Sequence, residues 1–105
     1  MYTNFPAVGH RYFVDFQAFQ VELDFASETS LTYYNLDKNG NKIGSETVTI
    51  KVEPIAEGIF LVTWQESDKT TVVHIEDYKQ LTIVTNITGS DLSFSQFHGT
   101  VRQLS

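Results

Sequence analysis

Residues 11–25 read RYFVDFQAFQVELDF, and apolar side chains occupy nearly every second position. Tyr12, Val14 and Phe16 fall on one side of an extended chain. After a kink expected near Ala18, the pattern resumes with Phe19, Val21, Leu23 and Phe25. A period of two is that of a β-strand, whose successive side chains point to opposite faces of a sheet. The stretch therefore predicts two strands, each with one buried face.

The same alternation continues to the C-terminus and is interrupted by clusters of Gly, Asn, Asp and Ser, which are typical of turns. It predicts six further strands, at 29–36, 47–52, 59–66, 70–76, 80–87 and 92–104, the last with a bend at Gly99. Residues 37–41 contain an Asn-Gly pair and predict a hairpin turn. Pro54 and Gly58 bracket another turn. A helical period is not visible anywhere.

Eight strands with no helix between them predict an all-β domain. Eight is also the number that closes a small antiparallel up-and-down barrel, and closure removes exposed sheet edges. A two-sheet sandwich is the alternative, because the sequence does not show whether the first and last strands pair. With 105 residues and no shift in composition, we expect one domain over 1–105, with flexible segments at 1–8 and 37–44.

Charge and composition restrict the expected partners and location. Thirteen acidic and seven scattered basic residues give a net charge of −6, so we expect neither nucleic acid nor a membrane as a partner. The chain has no cysteine, and its first residues lack the basic and apolar segments of a signal peptide. We therefore expect a cytoplasmic protein.

Motifs for a metal or a cofactor are missing from the sequence, and we expect neither. Residues 37–41 present oxygen ligands at alternate positions, as a calcium loop does. However, Lys42 stands where that loop needs glycine, and Val48 stands where it needs glutamate. A Gly-x-Ser-x-Gly nucleophile motif is not found either, so nucleophilic catalysis has no support.

Glu66 ends an apolar line, since Phe60, Val62, Trp64 and Glu66 share one face of the strand 59–66. Facing a cavity, this carboxyl would have a raised pKa and could accept a proton or bind a polar ligand group. The alternative is that Glu66 lies in solvent at the rim, beyond the end of its strand.

His74 also has two possible orientations. It points inward if it shares a face with Val72, and into water if Val73 and Ile75 are buried instead. Together with Tyr33, whose ring suits stacking on a flat ligand, the candidate ligand-binding residues are Tyr33, Trp64, Glu66 and His74.

With Gly9, the stretch 57–66 (EGIFLVTWQE) and the terminal Gly99-Thr100-Val101, the chain resembles MoaF-like proteins. These are calycin-type barrels related to lipocalins, and the resemblance implies a ligand-holding barrel more than a particular reaction.

A more distant similarity connects the chain to bacterial phenolic acid decarboxylases, which carry a stretch Gly-Val-Tyr-x-Val-Ser-Trp-Thr-Glu. Trp64 and Glu66 match it. That resemblance implies two tyrosines on the first strand and an arginine, but Val14 and Phe16 occupy the tyrosine positions and residues 44–46 supply no arginine. Without the cation that anchors a carboxylate, decarboxylation of that type is not expected.

Three functional hypotheses follow. The first is a non-catalytic barrel that binds a small hydrophobic or aromatic ligand. The second is a lyase or isomerase acting on a small aromatic or heterocyclic acid, with Glu66 as acid/base and His74 as its partner. The third is a protein-interaction or homodimerisation module that uses an apolar patch at Phe13 and Leu61.

Overall fold

The computed structural model describes residues 4–105, which form nine β-strands. The strands are β1 (Arg11–Asp15), β2 (Gln20–Phe25), β3 (Ser30–Leu36), β4 (Lys42–Thr49), β5 (Lys51–Ala56), β6 (Ile59–Gln65), β7 (Thr71–Asp77), β8 (Thr82–Thr88) and β9 (Phe94–Gln103). Within this part of the chain, no helix has the length and apolar character needed to cross a membrane.

All nine strands belong to one antiparallel sheet in the order β4-β3-β2-β1-β9-β8-β7-β6-β5. The first and last strands pair in its centre, where Val14 lies opposite Val101. The sheet curls strongly, so that its inner face encloses the core as an open half-barrel. Its two edges, β4 and β5, are consecutive in the chain.

The expectation of an all-β chain is confirmed, but the closed eight-stranded barrel is wrong. The predicted strand 47–52 is the junction of two strands, because β4 ends at Thr49 and β5 begins at Lys51. Between them Ile50 is buried, with 2% of its surface exposed. In the described residues β4 pairs with β3 and β5 pairs with β6, and no ladder joins β4 to β5.

The edge position of β4 and β5 explains why the sequence pattern does not predict these two strands. Along β4 only Val48 is buried, so no alternation of apolar residues marks the strand, and its first three residues fall in the predicted flexible segment 37–44. Pro54 was assigned to a turn but lies within β5. Proline has no N–H to donate, and an edge strand tolerates it because one side of the strand has no partner.

One end of the curl is closed by the N-terminal segment, which we had expected to be flexible. Phe5 and Ala7 are buried, and the ring of Phe5 packs edge-on against Phe25 and Phe60, with centroids 5.2 Å apart in both pairs. Residues 1–3 of that segment lie outside the described residues. The opposite end of the curl is open.

Candidate functional site

A cavity of about 200 Å³, partly open to solvent, occupies the open end of the curl. It lies where β3, β6 and β8 end and β2 and β7 begin. Its lining consists of Phe16, Phe19, Val21, Leu23, Tyr33, Asn35, Trp64, Glu66, Val72, His74, Thr85 and Ile87. The four predicted site residues, from three different strands and one loop, therefore line a single cavity.

A second depression, of about 440 Å³, lies beside Phe13, Asp15 and Gln20 on the outer face. It is larger but mostly polar, and the turn at 37–40 forms one of its sides. Ligand sites in proteins are concave and mainly apolar, so the inner cavity is the candidate site.

Five aromatic rings line the inner cavity. The rings of Tyr33 and Trp64 are nearly parallel, at 25°, with centroids 6.3 Å apart. The His74 ring meets the Trp64 indole edge-on at 4.7 Å. Phe16 and Phe19 add a further pair at 4.9 Å. Such walls offer both faces and edges to a flat molecule.

Glu66 follows the last residue of β6 and is half-buried at the cavity. It combines features of both expectations, since it lies beyond the strand's end and still faces the cavity. Its Oε2 accepts a hydrogen bond from Trp64 Nε1 at 3.1 Å. Burial raises the pKa of Glu66, and the negative charges of Glu46 and Asp68 act in the same direction. The hydrogen bond from Trp64 opposes that rise.

Tyr33 is held by Glu46, a residue that sequence reasoning missed. The Tyr33 hydroxyl donates to Glu46 Oε1 at 3.0 Å, and the backbone N–H of Ser67 donates to Oε2 at 2.9 Å. Burial raises the pKa of the Tyr33 phenol, and the nearby Glu66 charge raises it further. Tyr33 is therefore a neutral donor whose proton points at Glu46.

His74 is buried and points inward, which settles the choice between its two registers. Its Nδ1 lies 2.8 Å from Glu76 Oε2, and the hydroxyl of Tyr78 donates to Glu76 Oε1 at 2.6 Å. Burial raises the pKa of the Tyr78 phenol, and the charge of Glu76 raises it further, so Tyr78 keeps its proton. The alternation Val72, His74, Glu76 pointed to this pair, since it places both side chains on one face.

The second ring nitrogen of His74 faces the cavity. Nε2 makes no hydrogen bond to residues 4–105, yet in this part of the chain every fully buried side-chain nitrogen and oxygen has a partner. Nε2 is therefore open to the cavity space. In the neutral tautomer that carries its proton on Nδ1, where the Glu76 carboxylate can accept it, His74 presents Nε2 as an acceptor.

The histidines do not converge on a common site. His10 bonds the O atom of Ser105, and His98 is exposed on β9. Across residues 4–105, no three His, Asp or Glu side chains come close enough together to hold a metal ion.

Phe13 and Leu61, the proposed interaction patch, lie far apart. They belong to β1 and β6, which are separated by β9, β8 and β7. Four strand spacings amount to about 19 Å around the sheet. Arg102 also covers the ring of Phe13, at 5.1 Å from the centroid. These two side chains do not form one surface.

Comparison with known proteins finds a solved structure with a similar fold and a family model that matches this chain. A solved protein from Burkholderia vietnamiensis, described as a "putative beta-lactamase", superposes with a TM-score of 0.87 at 24% identity, over 96% of this chain and 98% of that one. At this identity the likeness shows the fold alone. No curated protein sequence matches. A family model described as MoaF-like matches residues 8–102. The chain belongs to the MoaF-like family.

Proposed function

We propose that this protein binds a small planar molecule in the cavity of its half-barrel. The observation that carries the proposal is the convergence of three aromatic rings, Tyr33, Trp64 and His74, with the carboxylate of Glu66 on one partly open cavity. An apolar cavity with a few convergent polar groups is the usual form of a small-molecule site.

The size of the cavity indicates the size of the ligand. An engineered apolar cavity of about 150 Å³ is enough to hold benzene, whereas drug-sized ligands occupy roughly 300–1,000 Å³. At about 200 Å³, the cavity accommodates a molecule of one or two rings. The resemblance to calycin-type barrels, which hold ligands inside a curled sheet, agrees with this reading.

Trp64 makes the proposal simple to test, because it is the single tryptophan of the chain and lines the cavity. Titration with benzamide should change Trp64 fluorescence in a saturable way, and calorimetry should give the same Kd. Native mass spectrometry of freshly purified protein should in addition reveal any small molecule that co-purifies.

A matched pair of variants locates the binding. Ile87→Phe fills part of the cavity and should weaken benzamide binding, whereas Ile75→Phe adds the same ring at an exposed position of β7 and should not. Equal affinities in the two variants, or no saturable binding by the wild type, would contradict the proposal.

A second candidate function is a proton transfer on the bound molecule, as in a lyase or isomerase. It is favoured by the placement of Glu66 and His74 Nε2 on the same cavity, with Glu76 orienting the imidazole as in other carboxylate–histidine pairs. Here Glu66 acts as acid/base and His74 as its partner.

Turnover of a panel of phenolic and heterocyclic acids and their neutral analogues tests this second function. The activity should disappear in Glu66→Gln and survive in Glu57→Gln, whose carboxyl is exposed away from the cavity. If the wild type turns over none of the panel, proton-transfer catalysis on this class is refuted and binding alone remains.

A further inference from the structure

We propose that the cavity selects aromatic molecules that donate hydrogen bonds and carry a positive charge or none, and that it discriminates against aromatic carboxylates. This inference rests on the proposed binding function, because it specifies the class of ligand for the same cavity. It follows from where the hydrogen-bond donors of the cavity wall are directed.

The hydrogen-bond donors of Tyr33, Trp64 and His74 are all directed at carboxylates of the protein. Trp64 Nε1 donates to Glu66, the Tyr33 hydroxyl donates to Glu46, and His74 Nδ1 lies against Glu76. Indole has one donor and a neutral imidazole has one, so neither ring has a second proton to offer a ligand.

Acceptors remain at the cavity. Nε2 of a neutral His74 faces the space, and Glu66 lines it with a carboxylate that can take further donors, since an ionised carboxylate has about four lone-pair positions. Asn35 and Thr85 contribute an amide and a hydroxyl, each of which donates or accepts. A ligand that itself brings N–H or O–H groups therefore complements this wall best.

The charges of the site point to the same class. Among the described residues, none of those lining the cavity is Lys or Arg. Glu66 lies at the cavity, and Glu46 is bonded to its neighbour Tyr33. The chain as a whole carries −6. Transfer of an anion from water into a site that lacks a cation is unfavourable, whereas a cation gains from these carboxylates.

Three probes of nearly identical shape separate these effects: benzamidinium, benzamide and benzoate. The first carries only donors and a positive charge, the second is neutral with both donors and an acceptor, and the third carries only acceptors and a negative charge. We expect the Kd to rise in that order, with at least a tenfold difference between benzamidinium and benzoate. A benzoate Kd equal to or below that of benzamidinium overturns the inference.

Variants assign the selectivity to its residue. Glu66→Gln should reduce the ratio of benzamidinium affinity to benzoate affinity about tenfold, while Glu57→Gln removes an exposed charge outside the cavity and should keep both the wild-type ratio and the wild-type benzamide affinity. An unchanged ratio in Glu66→Gln refutes the role of that carboxylate.

The two proposals fail in different ways. Benzamide binding with equal affinities for all three probes overturns the selectivity and leaves the binding function standing. If none of the three probes binds, both the selectivity and the binding function are overturned. The wild-type series needs no variant, so a folding defect in Glu66→Gln does not affect this comparison.

Discussion

Glu46 Oε2 accepts a 2.9 Å hydrogen bond from the backbone N–H of Ser67, on the side where the sheet does not close. Its other oxygen accepts the Tyr33 hydroxyl at 3.0 Å. One carboxylate thus connects β3, β4 and the loop after β6, where the described residues have no backbone ladder between β4 and β6. The same contact fixes an aromatic wall of the cavity.

Replacement of Glu46 by alanine should therefore loosen this side of the cavity. We expect Glu46→Ala to lower the free energy of unfolding by about 1 kcal/mol, as is typical for loss of such hydrogen bonds, and to speed hydrogen exchange at the Ser67 amide. Chemical denaturation and exchange measured by NMR check both. Glu53→Ala, an exposed carboxylate on the other edge strand, is the control and should change stability by less than about 0.5 kcal/mol. Protection of the Ser67 amide that is unchanged in Glu46→Ala would show that the contact does not form in solution.

Tyr78 supports the buried pair of His74 and Glu76. Tyr78→Phe removes the hydroxyl that donates to Glu76 at 2.6 Å and leaves a buried carboxylate oxygen without its partner, so we expect a loss of about 1–3 kcal/mol in urea denaturation. Tyr34→Phe is the matched control, because Lys42 lies over the Tyr34 ring at 4.1 Å and phenylalanine keeps that ring. Equal stabilities for the two variants would contradict a structural role of the Tyr78 hydroxyl.

Gly99 allows β9 to pass close to β1. A Cβ at this position would stand 2.7 Å from the backbone oxygen of Asp15 and 2.8 Å from Cδ1 of Phe16, so the backbone itself would have to shift. We expect Gly99→Ala to cost about 1–3 kcal/mol of stability and to weaken benzamide binding, since Phe16 lines the cavity. At Gly44 the nearest atom to an added Cβ is a side-chain nitrogen of Asn35 at 3.6 Å, an ordinary contact. A Gly44→Ala variant that is as destabilised as Gly99→Ala would refute this steric explanation.

The raised pKa of Glu66 predicts a pH dependence of defined sign. Because the folded protein binds this proton more tightly than the unfolded chain does, the stabilisation is complete below the unfolded pKa and is lost as pH rises through the folded value. As pH rises from about 4 through the folded pKa, the wild type should thus lose stability relative to Glu66→Gln. The difference should stay below about 1 kcal/mol, because the carboxyl is half-exposed and solvent screens it.

Trp64 offers a direct reading of that titration, because its indole donates to Glu66. Emission of the single tryptophan should change with a midpoint above the ordinary value of 4.5, and the transition should be lost in Glu66→Gln. A midpoint below 4.5 would mean that the hydrogen bonds to Glu66 outweigh its burial.

The strands with one buried face were predictable from the sequence, since alternation records burial. In β6 it placed Trp64 correctly, whereas in β7 it left two registers open; the predicted ends of both strands differ from the observed ones by at most one residue. The same rule failed on β4 and β5, because an exposed edge imposes no alternation. Closure of the barrel could not be predicted, since it depends on whether distant edges pair and not on local pattern.

The candidate site was predictable only in part, for a similar reason. Tyr33, Trp64, Glu66 and His74 carried local signals, namely aromatic character or a polar residue on an apolar face. Glu46 carried none, because it lies on an edge strand and acts through partners 13 and 21 residues away. Tyr78 falls between the predicted strands 70–76 and 80–87, where no alternation indicates the direction of its side chain toward Glu76.

The two unpaired edges of the half-barrel also govern how copies of the chain meet. A free strand edge is a template for pairing with another molecule and for fibril growth. Here β5 contains Lys51, Glu53 and Pro54, and all three are exposed. A second strand approaching this edge meets charge and a missing N–H donor, which disfavours intermolecular β-sheet growth. An open sheet with such an edge can keep its cavity accessible with little risk of aggregation along β5.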